Sequence, residues 1–593
     1  MTSPRDEYER RLAVRRGRIA DIDRSHLHFS NARLAIAALI ATLLWLSLAR
    51  GAVSAWWPLA AAIAFGALVV LHARLLERGE RARRAARLYE RGLERLDGRW
   101  AGTGRPGTAW LDDHGYARDL DVFGRGSLFE LMNVAQTEAG EATLADWLRR
   151  GASIDEVRAR RAAVEELRSK LDFREDVGVL AAEQQVSRTG ALAAWALSSP
   201  VGLGALAWLC GACALATIAL SVAAYEESLS WAAVVGWLAV EALITWPWRK
   251  KLALVMSRIG RPADDLSLLA ALLTRVEREA HTAERLRALQ STLAGGGAAA
   301  SAAIARLTSL VSWYESSVHN LLFMPVTRAL LVPEQLTFAI DRWQAQYGRH
   351  VAEWLRVVGE LEALSAIATY TYEHPADPFP EVIDRPAVFE AEGLVHPLLS
   401  GATGVANDVR LGRENPHVIV LSGSNMSGKS TLLRAVGLNV VLALAGAPVR
   451  ATRLTLSRLA IGATLRIDDS LQEGHSRFYA EILRIRHIVS DARAGTPLLF
   501  LLDEILHGTN SHDRRIGAEA VVRALVDAGA IGIVTTHDLA LTELTGELGT
   551  RAANMHFEDR LEHGRMVFDY RMRPGIVEHS NALALMRAIG LEV

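Results

Sequence analysis

Four runs along the chain are almost free of charge: residues 34–49, 52–71, 200–224 and 229–248. A helix needs roughly 20 apolar residues to cross a bilayer, fewer where flanking arginines reach back to the interface. The runs come in pairs joined by short turns, so they predict two membrane hairpins, over 34–74 and 198–250. Glu241 sits inside the last run, and a carboxylate in hydrocarbon is costly. That residue keeps open a second reading, the buried helices of a soluble bundle. Residues 76–99 are densely charged and predict a solvated helix, and AGTGRPGT at 101–108 predicts a linker. Apolar residues at three- and four-residue spacing over 124–172, over 264–293 and on to about 370 predict amphipathic helices. These pause at Gly295–Gly297 and end before Pro375, Pro378 and Pro380. From about 385 short β-branched runs (HVIVL, PLLFLL, AIGIVT) alternate with helices, which predicts an α/β domain on a parallel sheet.

The expected fold is therefore mixed. It has a basic N-terminal segment (1–33), a first hairpin (34–74), a charged helix with linker (75–110) and a helical core or lever part (111–197). A second hairpin (198–250), a second lever part (251–384) and the α/β domain (385–593) follow. A chain of 593 residues is too long for one core, in keeping with that division. Charge sets the orientation. Basic RRLAVRRGR precedes the first run, and Arg249, Lys250 and Lys251 follow the last, while the turns carry only Arg50 or Glu226 and Glu227. Positive flanks stay in the cytoplasm, so we expect a multi-pass protein of the cytoplasmic (inner) membrane with both termini and the α/β domain inside. The leader is too long and polar for a simple cleaved signal peptide. A formal net charge of −1 argues against global attraction to nucleic acid and leaves room only for a local basic surface. Cys210 and Cys213 lie inside the third apolar run with no second ligand pair, so they read as packing residues.

Residues 423–431, Gly423-Ser424-Asn425-Met426-Ser427-Gly428-Lys429-Ser430-Thr431, fit the phosphate-loop pattern between a strand (VIVL) and a helix (TLLRAVGLNVVLAL). Glycines let backbone N–H groups turn toward phosphates, and the helix N-terminus adds positive potential. Lys429 would reach the β- and γ-phosphates of ATP, and Ser430 would ligate Mg²⁺. Downstream, LFLLDE ends a buried strand in Asp503, placed to face the metal, and Glu504, placed to orient or deprotonate the attacking water. A third strand, in IVTTHD, ends at His537, which could sense the γ-phosphate.

Together with GHSRFYAEI and DEILHGTNSHD, the loop SGSNMSGKST makes residues 385–575 resemble the MutS family of DNA mismatch-recognition ATPases. A weaker resemblance covers 124–172 and 354–370, similar to that family's helical core and lever. The resemblance implies a homodimer with composite sites, where Ser476 reaches the γ-phosphate held by the partner subunit. It implies that Asn407 lies beside the adenine and that Tyr570 places a ring against the base. Gly404 stands where the family puts an aromatic, and Asn510 and Arg514 also depart from its pattern. The mismatch-reading Phe-x-Glu element is not found, so a membrane-anchored variant without that domain is expected. Its DNA contact would come from the lever tips, through phosphates and shape. Two alternatives remain. One is a membrane tether or scaffold gated by nucleotide without DNA. The other, an ATP-driven transporter, lacks its LSGGQ signature where GHSRF stands.

Overall fold

Pro4 opens the first helix under a Ser3 cap whose hydroxyl accepts from the Asp6 amide at 3.1 Å, and the helix then runs unbroken from Pro4 to Leu48. The computed structural model describes residues 3–577 except 112–113, 184–188, 203, 260–262, 296, 322, 400–402, 425, 467–476, 507, 538 and 563–564. The second helix, Trp56–Leu96, returns antiparallel to the first. Each rod is charged at one end and apolar at the other, so the expected boundaries near 33 and 75 fall within continuous helices. Arg, Glu, Ala and Leu share high helix propensity, and what changes there is the solvent the side chains suit. The apolar ends carry exposed Leu34, Trp45, Trp56, Trp57 and Ile63.

The charged ends pack together and onto the helical body. Gly92 lets Tyr8 lie flat on the second helix, because a Cβ there would sit 2.6 Å from the ring. The Tyr8 hydroxyl donates to Glu373 at 3.2 Å, and Arg95 pairs with the same carboxylate. Glu373 ends a helix of 42 residues, Val332–Glu373, about 63 Å long. Its final turns are buried all round, with Gly359 admitting the backbone of Ala139. Around it pack Glu138–Arg149 and Ile154–Ser169, capped by Thr137 and Ser153.

Both apolar hairpins emerge at one end of this body. Arg11 pairs with Asp172 and Arg15 with Glu175, so the first helix runs beside Leu171–Glu183 in the same direction. Arg174 donates to Thr369 at 2.6 Å, and farther on Gln344 donates to Trp195 and Ser198 carbonyls at 2.8 Å. These segments therefore climb the long helix from Glu373 toward Val332. Near the top, Asp341 accepts from the amides of Val201 and Gly202 (2.8 and 3.1 Å), at the foot of the second hairpin, Gly204–Tyr225 and Trp231–Thr245. From the Tyr8–Glu373 contact, Leu34 lies about 39 Å along the first helix and Asp341 about 48 Å along the long one. Four described helices are long and apolar enough to cross a membrane, by length and composition. Glu241, in the second hairpin, is buried and accepts from Thr217 at 3.2 Å.

The amphipathic stretch expected over 264–293 is two helices, Ala263–Arg278 and Glu284–Ala294. Glu166 holds the break by accepting from the Thr282 amide and hydroxyl and from the Ala283 amide, at 2.6–2.9 Å. Ala300–His319 and the short Met324–Ala329 then lead into the long helix.

Among the described residues the C-terminal part carries ten strands: β1 (Glu381–Ile383), β2 (Phe389–Leu394), β3 (Asn407–Leu411), β4 (Val418–Ser422), β5 (Arg453–Ser457), β6 (Ala460–Thr464), β7 (Leu498–Asp503), β8 (Ile531–Thr536), β9 (Ala552–Glu562) and β10 (Arg565–Pro574). One sheet has the order β1-β5-β2-β3, the other β10-β9-β4-β8-β7-β6. The second is parallel from β9 to β6, with β10 antiparallel at its edge. The runs HVIVL, PLLFLL and AIGIVT supply β4, β7 and β8, buried on both faces as a covered parallel sheet requires.

Candidate nucleotide-binding site

Three adjacent parallel strands deliver the chemistry at their C-terminal ends. Leu421 of β4 lies opposite Thr535 of β8, which lies opposite Asp503 of β7. After β4 the chain turns through Gly423 (φ 151°), Met426 (φ 69°) and Gly428 (φ 102°) into the helix Lys429–Ala445. Lys429 Nζ is buried, donates to the Gly423 and Ser424 carbonyls at 2.8 and 2.9 Å, and stands 3.7 Å from Glu504. Burial pushes this ammonium below the usual lysine range, opposed by Glu504 and Asp503. The Ser424 and Ser427 hydroxyls are buried with no hydrogen-bond partner among the described residues. Orphaned donors beside a lysine and a helix N-terminus suit an anion. Asn425 and Ser476 lie outside the described residues.

On the acidic side, Thr535 Oγ1 donates to Asp503 at 2.5 Å and accepts from the Glu504 amide at 3.0 Å. The chain then passes through left-handed backbone at Glu504 (φ 49°) and Leu506 (φ 61°). This turn brings Glu504 against His537 Nε2 and toward Lys429. Buried Glu481 holds the turn by accepting from the Leu506 amide at 2.6 Å. Thr535 and Glu481 were not singled out as site residues, although they stand in the quoted segments IVTTHD and GHSRFYAEI.

Beyond the loop opens a cavity of about 700 Å³ lined by Ser430, Thr431, Asn407 and Tyr570 together with Leu394, His396, Val405 and Phe557. The apolar wall is a feature that residue patterns did not reveal, since its members come from separate strands and loops. Tyr570, at φ 56°, rests its ring on Gly428, where a Cβ would lie 3.1 Å from Cδ1. Asn407 lines the cavity, but its amide is engaged with β10: Nδ2 donates to the Tyr570 carbonyl at 3.0 Å and Oδ1 accepts from Met572 at 2.7 Å. These two bonds tie the β3 start to the β10 backbone beside Tyr570. Burial holds His396 down to about 4, so this wall is neutral.

The helical body reaches the site through Asp119, which is fully buried. Its carboxylate accepts from the amides of Leu465 and Arg466 (3.1 and 2.6 Å) and pairs with Arg484 at 2.9 Å. Its carbonyl accepts from Arg434 on the phosphate-loop helix at 3.0 Å. Burial raises the Asp119 carboxyl, opposed by Arg484 and the two amides.

Residues 419–592 match the family model described as MutS domain V. This stretch is therefore similar to MutS domain V. Among its relatives, the DNA mismatch repair protein MutS of Geobacillus kaustophilus is 30% identical over 267 residues, 43% of this chain and 29% of that protein. Those of Natronomonas pharaonis and Brevibacillus brevis are 32% and 31% identical, over 44% and 42% of this chain and 29% of each relative. The match thus spans under a third of each of these MutS proteins. The family-model match, 419–592, falls within the nucleotide domain, and the apolar hairpins lie outside it.

Proposed function

We propose that this chain is a membrane-anchored, Mg²⁺-dependent ATPase of the MutS family that works as a homodimer and relays nucleotide state along its helical arms. The observation that carries the reading is the convergence of Lys429, Asp503, Glu504 and His537 at the ends of adjacent strands, beside two serine hydroxyls that have no partner among the described residues. In the reaction Lys429 Nζ exchanges loop carbonyls for phosphate oxygens and stabilises the charge that develops on the transferred group. Glu504 takes a proton from the attacking water, while His537 orients its carboxylate. Ser430 and Asp503 offer the hard oxygen donors that suit Mg²⁺, which would neutralise phosphate charge when bound. Tyr570 and the apolar wall hold the base. Ser476 completes the partner subunit's site, as the family resemblance implies.

The two hairpins, 34–74 and 198–250, anchor the chain in the cytoplasmic membrane with the nucleotide domain (385–593) in the cytoplasm. Their emergence at one end of the body, at similar heights, supports this reading, as do the basic residues flanking them. DNA is the ligand suggested by the relatives' names. The test is ATP turnover of the full chain in nanodiscs, with and without duplex, branched and mismatched DNA at two salt concentrations. Turnover that requires Glu504, rises with DNA and weakens with salt is expected. No hydrolysis refutes the enzyme. Hydrolysis indifferent to every DNA refutes that ligand and favours the nucleotide-gated tether.

A further inference from the structure

The end of the long helix remote from the nucleotide domain carries a surface that neither reading explains. Between Ala300–His319 and Val332–Glu373 the chain turns through Met324–Ala329, and Trp313, Leu321, Phe323 and Val326 are each more than half exposed there. Across residues 313–331 the only Asp, Glu, Lys or Arg residues are Glu315 and Arg328. A phosphate-binding tip needs several cations, and this one has a single arginine.

Its position is fixed by Asp341, which ties the long helix to the foot of the second hairpin. From there the long helix continues about 14 Å to Val332, packed against Gly204–Tyr225, itself about 33 Å long. The turn therefore lies beside the apolar part of the hairpin, short of its middle. Several of its described amides are satisfied internally, as hydrocarbon demands. The Phe323 and Met324 amides donate to the Asn320 carbonyl at 3.1 and 2.8 Å. The Thr327, Leu330 and Leu331 amides donate within the turn at 2.9–3.2 Å, and Thr327 Oγ1 donates to Ser317. Pro325 and Pro333 carry no N–H at all. Arg328 is long enough to reach headgroups from such a site, and Trp313 suits the interface.

We infer that residues 313–321 and 323–331 belong to a third membrane-inserting element, seated among the acyl chains of the leaflet nearer the nucleotide domain, beside the second hairpin. This rests on the membrane-anchored reading. The arm tip then grips lipid rather than DNA, and any tilt of the long helix driven by nucleotide is felt in that leaflet.

The test uses the full chain in phosphatidylethanolamine/phosphatidylglycerol nanodiscs, with nitroxide labels placed singly in a Cys210→Ala, Cys213→Ala background. Phe323→Cys and Val326→Cys probe the tip, Leu215→Cys the lipid face of the hairpin, and Ser291→Cys a water-exposed helix. ATP turnover equal to the unlabelled background certifies folding. Labels at 323 and 326 should collide with oxygen and be shielded from a water-soluble nickel chelate, as at 215, with a depth of about 10 Å. Nickel access at 323 and 326 with shielding at 215 overturns the tip inference and leaves the anchor standing. Nickel access at all three removes both. Shielding of the tip from oxygen as well as nickel overturns the inference in favour of contact between copies of the chain.

Discussion

Replacing Asp119 by alanine separates coupling from nucleotide binding. Its carboxylate holds the Leu465 and Arg466 amides on one side of residues 467–476 and Arg484 on the other. Hydrogen bonds to a charged acceptor are worth about 1.5–3 kcal/mol each, and an amide left buried and unpaired costs about 1–3 kcal/mol. Arg484 is 28% exposed, so water screens its share once Asp119 is gone. Desolvation of Asp119 offsets part of the total, which leaves about 3–5 kcal/mol for alanine. Asparagine keeps one acceptor oxygen and loses the charge, at about 1–2 kcal/mol. The bond from Arg434 to the Asp119 carbonyl survives both changes, so the phosphate-loop helix keeps its anchor. The Kd for a fluorescent ATP analogue should stay within about twofold, while turnover falls about tenfold or more in alanine and less in asparagine, in step with falling Tm. An equal loss of affinity and turnover would make Asp119 part of the pocket. Unchanged Tm and turnover would refute the coupling role outright.

Other expectations follow from the same geometry. Glu504→Gln should cut turnover by about a hundredfold or more and accumulate an ATP-bound dimer in sedimentation; undiminished turnover would remove Glu504 from its role as base. Tyr570→Ala should raise the Kd for ATP about tenfold with kcat largely retained, and an unchanged Kd would assign its ring to packing on Gly428. Burial raises the Glu362 carboxyl from 4.5 to about 6, despite the amides of Gln136 and Thr137 and the Thr137 hydroxyl. The stability this gives is complete below pH about 4.5 and lost as pH rises through about 6, about 2 kcal/mol in all. Tm measured across that window should therefore slope downward relative to Glu362→Gln, and parallel curves would refute the assignment.

The legible parts of the sequence are those whose function constrains local residues. The phosphate loop needs glycine where φ is positive and lysine at the helix start, so Gly423, Gly428 and Lys429 are visible in one stretch. Strands β4, β7 and β8 are buried on both faces and read as unbroken apolar runs. What stayed hidden depends on partners remote in sequence. Asp119 is one aspartate in a loop until Arg466 and Arg484 close on it. The break at 279–283 is made by Glu166, over a hundred residues away. The turn at 320–331 is too short and too interrupted by proline to read as a span, and its exposed apolar side chains stand out only once the two flanking helices are placed.

The two ends of the long helix are held by different chemistry, and that difference bears on how an ATP signal would travel. At Glu373 the first hairpin is attached by a buried polar cluster, with Tyr8, Arg95 and Arg174 gathered around one carboxylate and Thr369. Such networks are directional and resist sliding. At Asp341 the second hairpin is tied by two backbone amides, and beyond it the long helix packs side by side with Gly204–Tyr225, a contact between two helices that tolerates small rotations. A helix about 63 Å long, pinned at its nucleotide end and bearing on lipid at the other, converts a few degrees of domain closure into several ångströms at Phe323. In a membrane-anchored dimer, the quantity that nucleotide changes is then the spacing between the two hairpins of each subunit within the leaflet. DNA bound to the nucleotide domains or the sides of the arms would act on that spacing by favouring one closure state, through differential affinity and without touching the tip.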